Sequence, residues 1–122
     1  MRRIVTEKKS DHIDQSKYEY HAHVYYCSET IDQAKNLIET INNIFSFEIG
    51  RIHEKPVGPH PLWSCQIKFH GNDFSAFVQW LIVNRNGLDI FIHLCTGDNI
   101  SDHTDYVCWL GSSQSLKLDI FK

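Results

Sequence analysis

Eight histidines in 122 residues are the first chemical feature of this chain. Two stand as His21-Ala22-His23, His53 and His60 lie in a stretch that holds all three prolines, and His93 closes an apolar run. A neutral imidazole offers a lone pair to zinc, copper, iron or nickel, and near pH 7 it also takes or gives a proton. Histidines two apart on a strand are about 6.6 to 6.8 Å apart along it, so both rings can lean onto one ion at ~2.0 to 2.1 Å. A third ligand from an adjacent strand would complete a facial set. A lone His-x-His is also what a wet sheet face carries; here the company of further histidines on one face and its rim points to a metal site.

The elements that must position these residues can be read from periodicity. Tyr18 to Tyr26 alternates, with Tyr20, Ala22, Val24 and Tyr26 on one side and His21, His23 and Tyr25 on the other. Thr30 with Gln33 forms a capping-box pattern ahead of an amphipathic helix over about Ile31 to Ile44. Phe47 to His53 reads as a second strand and Trp63 to Phe69 as a third. Gly71-Asn72-Asp73 leads into a second helix with the stripe Phe74, Phe77, Val78, Leu81 and Ile82, stopped at Asn86-Gly87. Leu88 to Leu94 is a compact strand carrying His93.

This βαββαβ order predicts an α+β, ferredoxin-like sandwich: an antiparallel sheet with two helices on one face and the other face free. The first strand is then central beside the last, which brings His21 and His23 near His93. Arg51 and His53 reach the same face from the second strand. Each proline between Gly50 and Ile67 fixes its own φ and restricts its predecessor, so the loop carrying His60 reads as a stiff rim. It also reads, more plainly, as a connection between strands.

Length fits one domain over residues 18–111, after a flexible arm over 1–17 and before a surface tail over 112–122 that could add an edge strand or a dimer contact. With Lys+Arg 12 against Asp+Glu 15 and a net charge of -3, no cationic field exists to gather nucleic acid or an acidic membrane. Cys27, Cys65, Cys95 and Cys108 show no C-x-x-C spacing, and no apolar leader is visible, so a reduced cytoplasmic protein is expected.

His21-Ala22-His23-Val24-Tyr25-Tyr26, Gly50 through His60, Trp80-Leu81 with Asn84-Arg85 and Gly87-Leu88, His93, Thr96-Gly97-Asp98 with Asp102-His103, and Trp109-Leu110-Gly111 together resemble the DOPA 4,5-dioxygenase family of fungi and bacteria. The resemblance spans about Tyr20 to Gly111, with its blocks in order. It implies extradiol cleavage of a catechol such as L-DOPA by O2, with non-haem iron(II), or zinc in a purified sample, in a small protein that forms a homodimer. Leu94-Cys95 and Asn99 depart from the family pattern.

On that implication His21, His23 and His93 are the metal ligands, His53 is the base that deprotonates the catechol, and His60 or Arg51 stabilises developing negative charge or holds a substrate carboxylate. A carboxylate ligand from Glu54 or Asp98 and an all-histidine set both stay open. His103 reads equally as a ligand or lid residue and as a turn histidine beside Asp102. Arg51 also reads as a surface partner of Glu48 or Glu54, worth ~0 to 1 kcal/mol. Two other classes compete: a metal protein with a different aromatic substrate or no dioxygenase activity, and a ferredoxin-like binding module. The module needs aromatic and basic residues where this sheet carries histidines.

Overall fold

The computed structural model describes residues 17–122; all but the last residue of the predicted N-terminal arm lie outside that range. The elements run β1 (Glu19–Tyr26), α1 (Ile31–Ile44), β2 (Glu48–Ile49), β3 (Trp63–His70), α2 (Phe74–Asn84), β4 (Ile90–Leu94), α3 (Asn99–Thr104) and β5 (Val107–Leu110). The strands form one antiparallel sheet in the order β2-β3-β1-β4-β5. Through β4 this is the expected ferredoxin-like order, with β1 central; β5 extends it past the last predicted strand. No helix among the described residues is long and apolar enough to cross a membrane.

The alternation of β1 decides the layers. Ala22, Val24 and Tyr26 join Cys65, Ile67, Ile90 and Ile92 beneath Leu37, Ile38 and Ile41 of α1 and Phe77 and Leu81 of α2. The helix over Ile31 to Ile44 forms as its spacing predicts, but the capping box does not. Thr30 Oγ1 accepts from the Cys27 N–H at 2.9 Å, and Gln33 Nε2 donates to the Asn86 carbonyl at 2.7 Å, so both side chains serve the neighbouring turns instead. Ile82, expected in the apolar stripe of α2, is 57% exposed, because that helix rests on the sheet through Phe77, Val78 and Leu81.

The second strand is much shorter than Phe47 to His53. Beyond Ile49 the Gly50 N–H donates to Gln66 O at 2.8 Å and the His53 N–H to Ser64 O at 3.1 Å. Three steps on one chain therefore face two on the other, which is a bulge. It resets the alternation, so Ile49 and Ile52 both pack against the core although they are an odd number of residues apart.

The sheet face opposite α1 and α2 is covered rather than free. His23 and His93 are each 4% exposed, Tyr25 2% and Phe91 fully buried, under the proline-rich loop, α3 and the C-terminal segment. That segment makes no strand. The Ser112 N–H and Gln114 Nε2 bind the Asp89 carboxylate, the Lys117 N–H donates to Pro59 O at 2.8 Å, and a 3-10 turn at Leu118–Phe121 ends the chain.

Candidate active site

Register brings the histidines together. On β1 and β4 His21 lies opposite His93 and His23 opposite Phe91, all on the covered face. One ring nitrogen from each of His21, His23 and His93 can be chosen so that all lie within 4.8 Å of one another. His23 Nε2 and His93 Nε2 are 3.0 Å apart. Two nitrogens bound to one ion at ~2.0 to 2.1 Å are about 3 to 3.4 Å apart in octahedral or tetrahedral geometry, so this pair already has the spacing of two ligands. The His93 Nδ1–H donates to Leu94 O at 2.9 Å, which leaves the lone pair on Nε2 facing His23. One proton on His23, or one cation between the two, satisfies that pair.

Burial keeps these rings neutral, the form that binds metals. The pKa of His23 is pushed well below the usual histidine value by burial, then by His60 and His93; that of His93 falls to about 4, chiefly by burial. His21, half-buried, is lowered by burial and by Lys68. The set fits a divalent transition metal: three neutral imidazoles converge from two adjacent strands. Neither carboxylate considered from the sequence joins it, since Glu54 is exposed and Asp98 caps α3 by accepting from Ser101 N at 3.3 Å.

Two further histidines close over the set. The His60 N–H donates to Val57 O at 3.0 Å across a turn in which Gly58 takes φ 55°, a left-handed value suited to glycine rather than the extended one expected before Pro59. The turn drops the His60 ring 4.2 Å from that of His23. Tyr25 Oη and His60 Nδ1 are 2.7 Å apart. Burial pushes the Tyr25 pKa up and that of His60 down to about 4, and among the described residues the hydroxyl has no other protein partner. The phenol therefore donates to Nδ1, and His60 carries its own proton on Nε2. From the other side, the His103 ring lies 4.3 Å from that of His93, and its Nδ1–H donates to Asn99 O at 2.7 Å, which leaves Nε2 as an acceptor.

The support for His103 is Asp102, 3% exposed. Its carboxylate accepts from Thr96 N at 2.8 Å, Thr96 Oγ1 at 2.7 Å and Gly97 N at 3.2 Å, tying α3 to the loop that leaves β4. His21, His23, His60, His93, Asp102 and His103 line a cavity of about 340 Å³ with Pro59, Gln66, Cys95 and Phe121, within the range of small-molecule sites.

Of the residues singled out from sequence, His21, His23, His60 and His93 line this cavity and His53 and Arg51 do not. His53 is half-buried on the rim, with its carbonyl accepting from the Tyr26 hydroxyl at 2.7 Å, and Arg51 is exposed. Tyr25, Asp102 and Phe121 were not among the site residues proposed from sequence. Tyr25 shares the alternation of His21 and His23 and was open to discovery there; Asp102 stood in the Asp102-His103 block without a role assigned to it, and Phe121 carries no motif.

The fold and site thus define a ferredoxin-like α+β protein with a histidine cluster in a covered cavity on the sheet face away from its two long helices. Residues 20–120 match the model of the Dopa 4,5-dioxygenase family, and the chain belongs to that family. It is 32% identical over 115 residues to an uncharacterized 21.2 kDa protein of Botryotinia fuckeliana, covering 84% of this chain and 63% of that protein. It is 25% identical over 115 residues to a DOPA 4,5-dioxygenase of Amanita muscaria, covering 87% of this chain and 50% of that one. The chain therefore spans between half and two thirds of these two relatives. A crystal structure of a candidate dioxygenase from Nostoc punctiforme superposes with a TM-score of 0.82 at 41% identity, covering 84% of this chain and 90% of that one.

Proposed function

We propose that this chain is an extradiol dioxygenase, opening the ring of a catechol such as L-DOPA with O2 at a non-haem iron(II) held by His21, His23 and His93. The observation that carries the reading is the convergence of three neutral imidazoles within 4.8 Å in a covered cavity of a Dopa 4,5-dioxygenase family member. In the overall reaction a ring carbon–carbon bond beside the diol breaks and both atoms of O2 enter the product, so no outside reductant is consumed. A bound iron(II) would supply chelation of the two catechol oxygens and electron exchange with O2.

The protein's own groups handle protons and charge. His103, with Nδ1 held by Asn99 O, offers Nε2 to accept a catechol hydroxyl proton. His60, backed by Tyr25, offers its Nε2–H to negative charge developing on oxygen. Pro59 and Phe121 give the cavity the apolar part of its wall. His53 is the competing base: if His53→Ala keeps its metal and loses turnover while His103→Ala does not, the role passes to it.

The test is oxygen consumption by anaerobically iron(II)-loaded protein given L-DOPA and then simpler catechols. Uptake of one O2 per catechol with a yellow ring-opened product is expected. Stoichiometric metal with no uptake on any catechol would refute the reading and favour another aromatic substrate or a lost activity.

A further inference from the structure

The C-terminal segment is more firmly attached than a surface tail needs to be. It leaves β5 through Gly111 at φ 89°, where an added Cβ would run into Asp89 and Arg85. Asp89 then binds the Ser112 N–H at 2.8 Å and Gln114 Nε2 at 3.0 Å, and the Lys117 N–H reaches the proline-rich loop at Pro59 O, 2.8 Å away. The 3-10 turn that follows puts the Phe121 ring 4.6 Å from that of His103, at 37° to it, on the wall of the cavity. The one large aromatic side chain among the residues lining this cavity is Phe121, and two separate attachments bring it there.

We infer that residues 112–122 form a wall of the substrate cavity and that Phe121 is a specificity-determining residue, packing against the aromatic ring of the bound substrate. The inference rests on the reading of the cavity as a catechol site. A planar ring seated in the cavity beside Phe121 gains one aromatic pair, and a substituent on that side of the ring meets Phe121. The same strap joins β5 to the His60 loop, so loosening it frees Phe121 and the Pro59 side of the wall together.

The experiment titrates 4-nitrocatechol into the full chain loaded anaerobically with one equivalent of iron(II), following the visible absorbance change on chelation. Phe121→Ala should bind about two- to tenfold more weakly, the worth of one aromatic pair, whereas Phe121→Tyr should bind as the parent does. Lys117→Pro, which removes the N–H bonded to Pro59, should weaken binding in the same direction with Phe121 intact. Metal stoichiometry should match the parent in all three. Unchanged affinity in Phe121→Ala, or weakening that Phe121→Tyr shares, overturns the inference and leaves the catechol reading standing. A parent protein that holds iron but does not bind the probe overturns both.

Discussion

Replacing Asp102 separates hydrogen bonding from charge in the support of α3. Its carboxylate is 3% exposed and accepts two backbone N–H groups, Thr96 and Gly97, together with the Thr96 hydroxyl. In Asp102→Ala both N–H groups lose their acceptor; Thr96 and Gly97 are exposed, so water replaces part of it, and each lost bond to the carboxylate costs ~1 to 2 kcal/mol. The expected loss is therefore about 2 to 4 kcal/mol. For a domain of this size that lowers the melting temperature by roughly 4 °C or more per kcal/mol. Asp102→Asn differs. Its carbonyl oxygen can keep both N–H groups while its amide donates to Thr96 Oγ1, so only the charge assistance is lost, ~1 to 2 kcal/mol. Urea unfolding followed by tryptophan fluorescence measures both. A cost of Asn equal to that of Ala, or a cost of Ala below about 1 kcal/mol, would refute the assignment of Asp102 as the tie between α3 and the β4 loop.

Metal-free protein should lose stability in mild acid. The pKa values of His60 and His93 fall to about 4 on folding, so between there and the unfolded value near 6.5 the unfolded chain binds more protons and stability rises with pH. Each contributes up to ~3 kcal/mol at neutral pH that is lost as pH drops through this window; urea midpoints that do not change from pH 7 to 4.5 would contradict it. Tyr25→Phe removes the donor 2.7 Å from His60 Nδ1, so turnover should fall several-fold with metal content unchanged; equal turnover would dismiss the Tyr25–His60 pair.

Much of the fold was legible because β1 alternates cleanly and α1 carries an unbroken apolar stripe. Those two signals set the layers, and the layers put His21, His23 and Tyr25 on the face away from the helices. Pairing of β1 with β4 then brought His93 opposite His21. The bulge after Ile49 was not legible, since one extra residue leaves no mark in composition, and it sets the register of the rim that carries Arg51 and His53. Thr30 and Gln33 have the letters of a capping box, but nearby turn groups compete for both side chains. His103 was ambiguous because its role depends on Asp102, whose partners lie five and six residues back in a loop without periodicity. Phe121 reaches the cavity only through tertiary attachments at Asp89 and Pro59, which no local pattern encodes.

The central claim is that His21, His23 and His93 hold one metal ion, and titration of metal-free protein with cobalt(II), read by visible absorption and calorimetry, tests it most directly. The account predicts one equivalent per chain in the parent and in Tyr25→Phe, and loss of that site in His23→Ala and in His93→Ala, with helix and sheet content unchanged by circular dichroism. Full-strength binding of one equivalent in either histidine variant would contradict it.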